Sequence, residues 1–181
     1  MTKFILTLTL LFCTWNAFSQ TVFVSDKVTI SFFSEARIEN IEATSVKGSA
    51  AINAITKDVV FKVPISSFSF QRKLMEEHFN ENYMESDKFP NAILKGKIVE
   101  DVDLTKEGTY HVTLEGTMDM HGITKTKKFT GVIENKGGRL YLDSQFMLPV
   151  ADHDIKIPND KLSNISQTIK VTVHAEFIPK K

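Results

Sequence analysis

Five histidines, His78, His111, His121, His153 and His174, are the side chains of this sequence best suited to chemistry at neutral pH. A locally built zinc site needs ligands two to four residues apart or a histidine pair one helical turn apart, and no two of the five stand at such a spacing. The one cysteine, Cys13, lies near the N-terminus. No Gly-x-Ser-x-Gly elbow or glycine-rich phosphate loop occurs. Carboxylate pairs such as Glu76 with Glu77, or Asp152 with Asp154, carry little signal, because adjacent charges are mostly solvated surface.

The densest cluster of chemically able residues is "GTMDMHGITKTKKFTG", residues 116–131. It could be a metal site, a catalytic loop or a tight turn. The flanking pattern favours the turn. Alternation runs through "TYHVTLEGTMDM", with Tyr110, Val112, Leu114, Gly116 and Met118 on one face, and continues in "TKTKKFTGVIE", so His121 and Gly122 fall at a hairpin between two strands. Gly122 supplies a turn conformation, and His121 hydrogen bonds to nearby groups; no metal is expected.

The elements that must position these residues follow the same period of two. "TIKVTVHAEF" sets Ile169, Val171, Val173, Ala175 and Phe177 against Lys170, Thr172, His174 and Glu176. One dry face and one wet face per strand is the signature of antiparallel sheet. Strands are expected at 28–33, 46–54, 59–65, 91–101, 109–120, 126–134, 139–148 and 168–177, with an optional short one at 22–24. Turn residues at 104–108 and 135–138 separate them. Eight sequential strands suit an all-β, eight-stranded antiparallel barrel, whose closure removes the edges; a two-sheet sandwich fits the same periodicity. One segment, 67–90, breaks the rhythm. Leu74, Met75, His78, Phe79 and Tyr83 or Met84 recur at helical spacing, giving one short helix that ends before Pro90.

The N-terminal "MTKFILTLTLLFCTWNAFSQ" has a positive start, an apolar run and small residues Ala17 and Ser19 before a cut, the pattern of a signal peptide over residues 1–19. One domain, 20–181, remains. It is expected to be exported to the periplasm or secreted, and to hold together by its core without disulfides. Acylation at Cys13 is the competing reading, and the bulky Phe12 before it argues against that. With 22 basic and 22 acidic residues, the chain implies no nucleic-acid or anionic-membrane partner.

Fourteen phenylalanines accompany a single tryptophan. Such rings fill an ordinary core, and they also line a tube for an apolar chain, where contact area is gained without polar atoms to satisfy. An eight-stranded barrel is either filled or just wide enough for one small ligand. Small residues on inward faces, including Ala50, Ala54, Ala92, Gly96, Gly116, Gly131 and Ala175, leave room or relieve crowding where strands coil.

Two segments carry a family resemblance. "SFSFQRKLMEEHFNENYMESDKFPNAILKGKI", from Ser67 to Ile98, resembles the hallmark segment of the YceI-like family, and "GTMDMHGITKTKKF" is similar to that family's second hallmark hairpin. The closing "LPVADHDIKIP" and "ISQTIKVTVHAEF" are also similar. The resemblance implies an exported lipocalin-like barrel, often dimeric, that binds a polyisoprenoid, an isoprenoid quinone or a fatty-acid-like lipid in an apolar tunnel. By position and pattern, Phe68, Phe70, Leu74, Met75, His78, Phe79, Phe89, Met118 and Phe146 are the expected ligand-binding residues. No cofactor is implied. The N-terminal segment "ISFFSEARIENIEATSVKG" departs from many members, which often carry a valine and a histidine where Ser34 and Glu35 stand. Two alternatives remain open: a packed barrel acting as an interaction module, and a hydrolase using His78 or His121.

Overall fold

The computed structural model describes residues 21–35, 40–158 and 165–180; the expected signal peptide and Cys13 lie outside these residues. Nine strands form among the described residues: β1 (Val22–Ser34), β2 (Ile41–Asn53), β3 (Asp58–Pro64), β4 (Ser69–Phe70), β5 (Asn91–Ile98), β6 (Gly108–Met120), β7 (Ile123–Lys136), β8 (Arg139–Pro149) and β9 (Thr168–Pro179). The order β1-β9-β8-β7-β6-β5-β3-β2, closed by pairing of β1 with β2, makes an antiparallel barrel of eight long strands. The two-residue β4 continues the line of β3 beyond a 3-10 turn, Ile65–Ser67, and pairs with the first part of β2.

Alternation along each strand sends one face inward. In β6, Val112, Leu114, Met118 and Met120 are buried, and in β9, Val171, Ala175 and Phe177. Strand boundaries depart most from the sequence reading in β1 and β2, for identifiable reasons; β5 also ends at Ile98 rather than 101, and β7 begins at Ile123 rather than 126. β1 absorbs the short segment at 22–24 because a bulge lies between Ser25 and Val28, where the Lys27 backbone N–H donates to Ser25 Oγ at 3.1 Å; the bulge breaks the alternation without breaking the strand. β2 begins at Ile41 rather than 46, its first buried positions being Ala43 and the fully buried Ser45. Ser45 is satisfied there by a hydrogen bond with the Ser67 hydroxyl at 2.6 Å, so a polar residue sits inward at little cost.

The two ends of the barrel differ. At the end of the β7–β8 hairpin, Ile52, Leu104, Ile133, Leu140 and Phe177 are fully buried, and Phe61 meets Phe177 edge to face with centroids 6.1 Å apart. The loop carrying Leu104 is fastened over this end. Asn135 Nδ2 donates to the Leu104 carbonyl at 2.7 Å, and Lys57 reaches the Val102 carbonyl. This half is packed solid.

At the other end the chain leaves the wall. Between β4 and β5 it forms the helix α1 (Lys73–His78), which continues into one π-helical turn, Phe79–Tyr83. π-turns widen a helix locally, and here the turn sets Phe79 against the barrel end.

Small inward residues have mixed roles. Gly96 and Gly116 are directly paired on β5 and β6, and a Cβ on either would run into the backbone of the facing strand. They permit close strand approach and add no room. Ala92 and Gly131, in contrast, border the open half.

Candidate functional site: an apolar cavity under a helix

The open half encloses a cavity of about 470 Å³, bounded by inward side chains of most of the strands and by the helical segment. Its wall is overwhelmingly aliphatic and aromatic. Phe61 forms the floor against the packed half, Val112, Leu114 and Met118 rise along β6, and Ile41, Ile157 and Ile165 stand toward the open end. Polar groups at the boundary are few: Ser34, Thr130, Ser144, Tyr83, His78 and Lys62.

Four phenylalanine rings gather where the helix meets the barrel. Phe79 stacks on Phe32 at 5.5 Å and meets Phe68 at 5.8 Å and Phe70 at 5.1 Å; Phe32 also contacts Phe68 at 5.6 Å and Phe70 at 5.9 Å. Each such pair is worth about 0.5–1.5 kcal/mol beyond area burial, so the cluster anchors the helix more firmly than its six-residue α-helical part could manage alone. Polar contacts add to this. Glu76 accepts from the Phe70 backbone N–H at 3.4 Å and pairs with Lys73, and Asn80 Nδ2 donates to the Glu76 carbonyl at 2.8 Å. The Lys73 ammonium, followed by the Phe70 N–H, holds the Glu76 carboxyl below the usual glutamate range.

Of the nine residues named from the sequence as ligand-binding, Phe68, Phe70, Met75, His78, Phe79, Met118 and Phe146 line this cavity. Leu74 points away and is 60 % exposed. Phe89 lies instead against the β6–β7 turn, its ring edge to face with His121 at 4.7 Å. Sequence reasoning passed over Phe32, Met84, Met120 and Phe129, which also line the cavity. Phe32 carried a usable signal, since it alternates with Ile30 on the inward face of β1.

His121 and Gly122 are the two central residues of the β6–β7 hairpin, with φ of 54° and 72°. Two consecutive positive φ values are what a type I′ turn requires. A Cβ on Gly122 would lie 2.6 Å from Phe89 Cε1, so the site excludes side chains on space as well as on backbone conformation. His121 Nδ1 bonds to the His153 carbonyl at 3.0 Å, and Nε2 faces Glu85 Oε2 at 3.1 Å. His153 is itself fully buried, its Nδ1–H donating to the Ile123 carbonyl at 2.9 Å and the Met120 carbonyl at 3.2 Å. The two histidines thereby join the hairpin, the segment after the helix and the 3-10 turn Val150–His153. Among the described residues, no group of three His, Cys, Asp or Glu side chains is placed to hold a metal ion. No helix among them is long and apolar enough to cross a membrane.

The sequence profile of the YceI-like domain matches residues 17–177. Several solved structures are similar in fold, three of them as follows. A polyisoprenoid binding domain from Saccharophagus degradans, implicated in plant cell wall breakdown, superposes with a TM-score of 0.75 at 13 % identity, over 88 % of this chain and 99 % of that one. BcnA of Burkholderia cenocepacia gives 0.69 at 14 %, over 83 % and 96 %. The Campylobacter jejuni YCEI protein gives 0.65 at 16 %, over 81 % and 90 %. No curated protein sequence matches significantly.

Proposed function

The chain belongs to the YceI-like domain family, and from that premise we propose that it is an exported binding protein holding a long-chain apolar ligand, a polyisoprenoid, isoprenoid quinone or fatty-acid-like lipid, in its barrel. The observation that carries the reading is the cavity of about 470 Å³ walled by aliphatic and aromatic side chains in one half of an otherwise packed barrel. An apolar void offers water too few hydrogen-bond partners and takes up apolar molecules instead. The polyisoprenoid binding domain with the same fold supports the choice of ligand class.

Magnitudes agree. Each buried methylene contributes roughly 0.8 kcal/mol, so about ten of them give on the order of 8 kcal/mol before ordering costs, the scale of micromolar binding. The few polar groups at the boundary impose no strong charge preference. A long apolar chain crosses an aqueous compartment poorly by itself, and a soluble carrier lowers that barrier. The packed-module alternative is disfavoured by the cavity. Catalysis by His121 is disfavoured because both ring nitrogens are engaged by Glu85 and the His153 carbonyl, which leaves no free nitrogen to take a substrate proton.

Native mass spectrometry of protein prepared gently from its own host, followed by solvent extraction, tests the proposal. A stoichiometric adduct that extracts as an apolar molecule is the expected result. A homogeneous unliganded mass, together with no uptake of added prenol or fatty acid, would reject it.

A further inference from the structure

The barrel wall has a gap. β7 stays paired with β6 as far as Ile123, and β8 with β9 as far as Pro149, yet β7 and β8 pair with each other only from Lys136↔Arg139 to Gly131↔Ser144. Over 124–130 and 145–149 the two strands part. A side chain substitutes for the next ladder bond, Ser144 Oγ donating to the Thr130 carbonyl at 2.7 Å. The far limit of the gap is set by the 3-10 turn after β8, where Lys127 Nζ pairs with Asp152 at 2.5 Å and His153 holds the Ile123 carbonyl.

Between these limits lies a window filled by two rings, Phe129 and Phe146, edge to face at 4.8 Å. The cavity reaches it: Thr130, Gly131, Ser144 and Phe146 all border that space, although the Thr130 side chain is exposed on the outer surface. Phe146 points inward by strand alternation but is only half-buried, unlike the inward Leu140 and Leu148 on the same strand.

Two other routes into the cavity, through the solid half and under the helix, are harder to open. The solid half is closed by fully buried side chains. Lifting the helix away from the barrel disrupts three ring contacts of Phe79 and the Glu76 link to Phe70. Turning Phe146 aside breaks its one ring pair with Phe129. We propose that the window between β7 and β8 is the passage by which an apolar chain enters and leaves, and that Phe146 is the specificity-determining residue that sets the cross-section of chain admitted. This rests on the apolar-ligand reading above.

Stopped-flow kinetics with the fluorescent polyene parinaric acid as a slim chain, and displacement by farnesol as a branched one, test it in the full chain. For Phe146→Ala, which also removes a ring from the cavity wall, association should quicken at least tenfold, more for farnesol, and dissociation by at least as much. Phe146→Trp should slow both. Lys127→Ala, which loosens the foot of the window without touching the cavity wall, should quicken both, and it guards against a folding defect at position 146. Rates indifferent to all three substitutions, or a change confined to dissociation, would overturn the window while leaving the binding function standing. Absence of saturable binding of either probe to the unaltered protein would instead remove the apolar-ligand reading, and the window with it.

Discussion

Most of the hairpin chemistry comes down to His121. It adopts a left-handed backbone conformation uncommon for a residue with a side chain and offsets that strain with hydrogen bonds to two separate segments. His121→Ala keeps the strained backbone and removes both bonds, so stability should fall by about 1–2 kcal/mol, read as a lower urea midpoint with an unchanged slope. Stoichiometric zinc in the unaltered protein, lost in the variant, would contradict a purely structural role. How much of this was legible is specific: a two-residue turn ending in glycine between alternating runs points to the hairpin, but nothing local announces Glu85 or His153 as partners. They lie 36 and 32 residues away and meet His121 only once the barrel closes.

Among the elements, the helix is the informative exception. Its short α-helical part has no side-chain cap and would not persist alone; Phe79 and the rings around it supply the missing stabilisation. Phe79→Ala should therefore weaken binding of a long-chain quinone or fatty acid at least tenfold, about 1.4 kcal/mol, while the barrel remains folded, because the packed half does not depend on that ring. A combined measurement of binding and chemical denaturation on the same sample decides. Unfolding by about 3–5 kcal/mol with no binding in either protein would mark the helix as ordinary core. The helical period of Leu74, Met75, His78 and Phe79 was readable, yet period alone could not orient the segment. Leu74 faces solvent and Met75 the cavity, because adjacent helical positions point about 100° apart and the docking of Phe79 on the barrel rings decides which of the two turns inward. Strand alternation was legible wherever it ran unbroken, as in β6 and β9, and was hidden where a bulge or a buried serine interrupted it, as in β1 and β2.

Across the whole molecule, stability and cavity are divided between two halves. Ile133→Ala, in the packed half, should cost about 2–5 kcal/mol of unfolding free energy and leave the affinity of the folded protein for an apolar chain within about twofold, measured by denaturation and by titration at a temperature where the variant is fully folded. A parallel loss of affinity would mean that the halves are mechanically coupled. This division was not legible in the sequence, since inward aliphatic residues read alike whether they touch one another or border a void. Its consequence reaches into how such a protein can change over generations. Side chains that border the void lack packing partners on that side, so substitutions there cost less stability than substitutions at the solid end, where every side of the side chain is in contact. A barrel built this way can exchange one cargo for another without passing through an unfolded ancestor, which is consistent with the same architecture persisting among proteins only 13–16 % identical to this one.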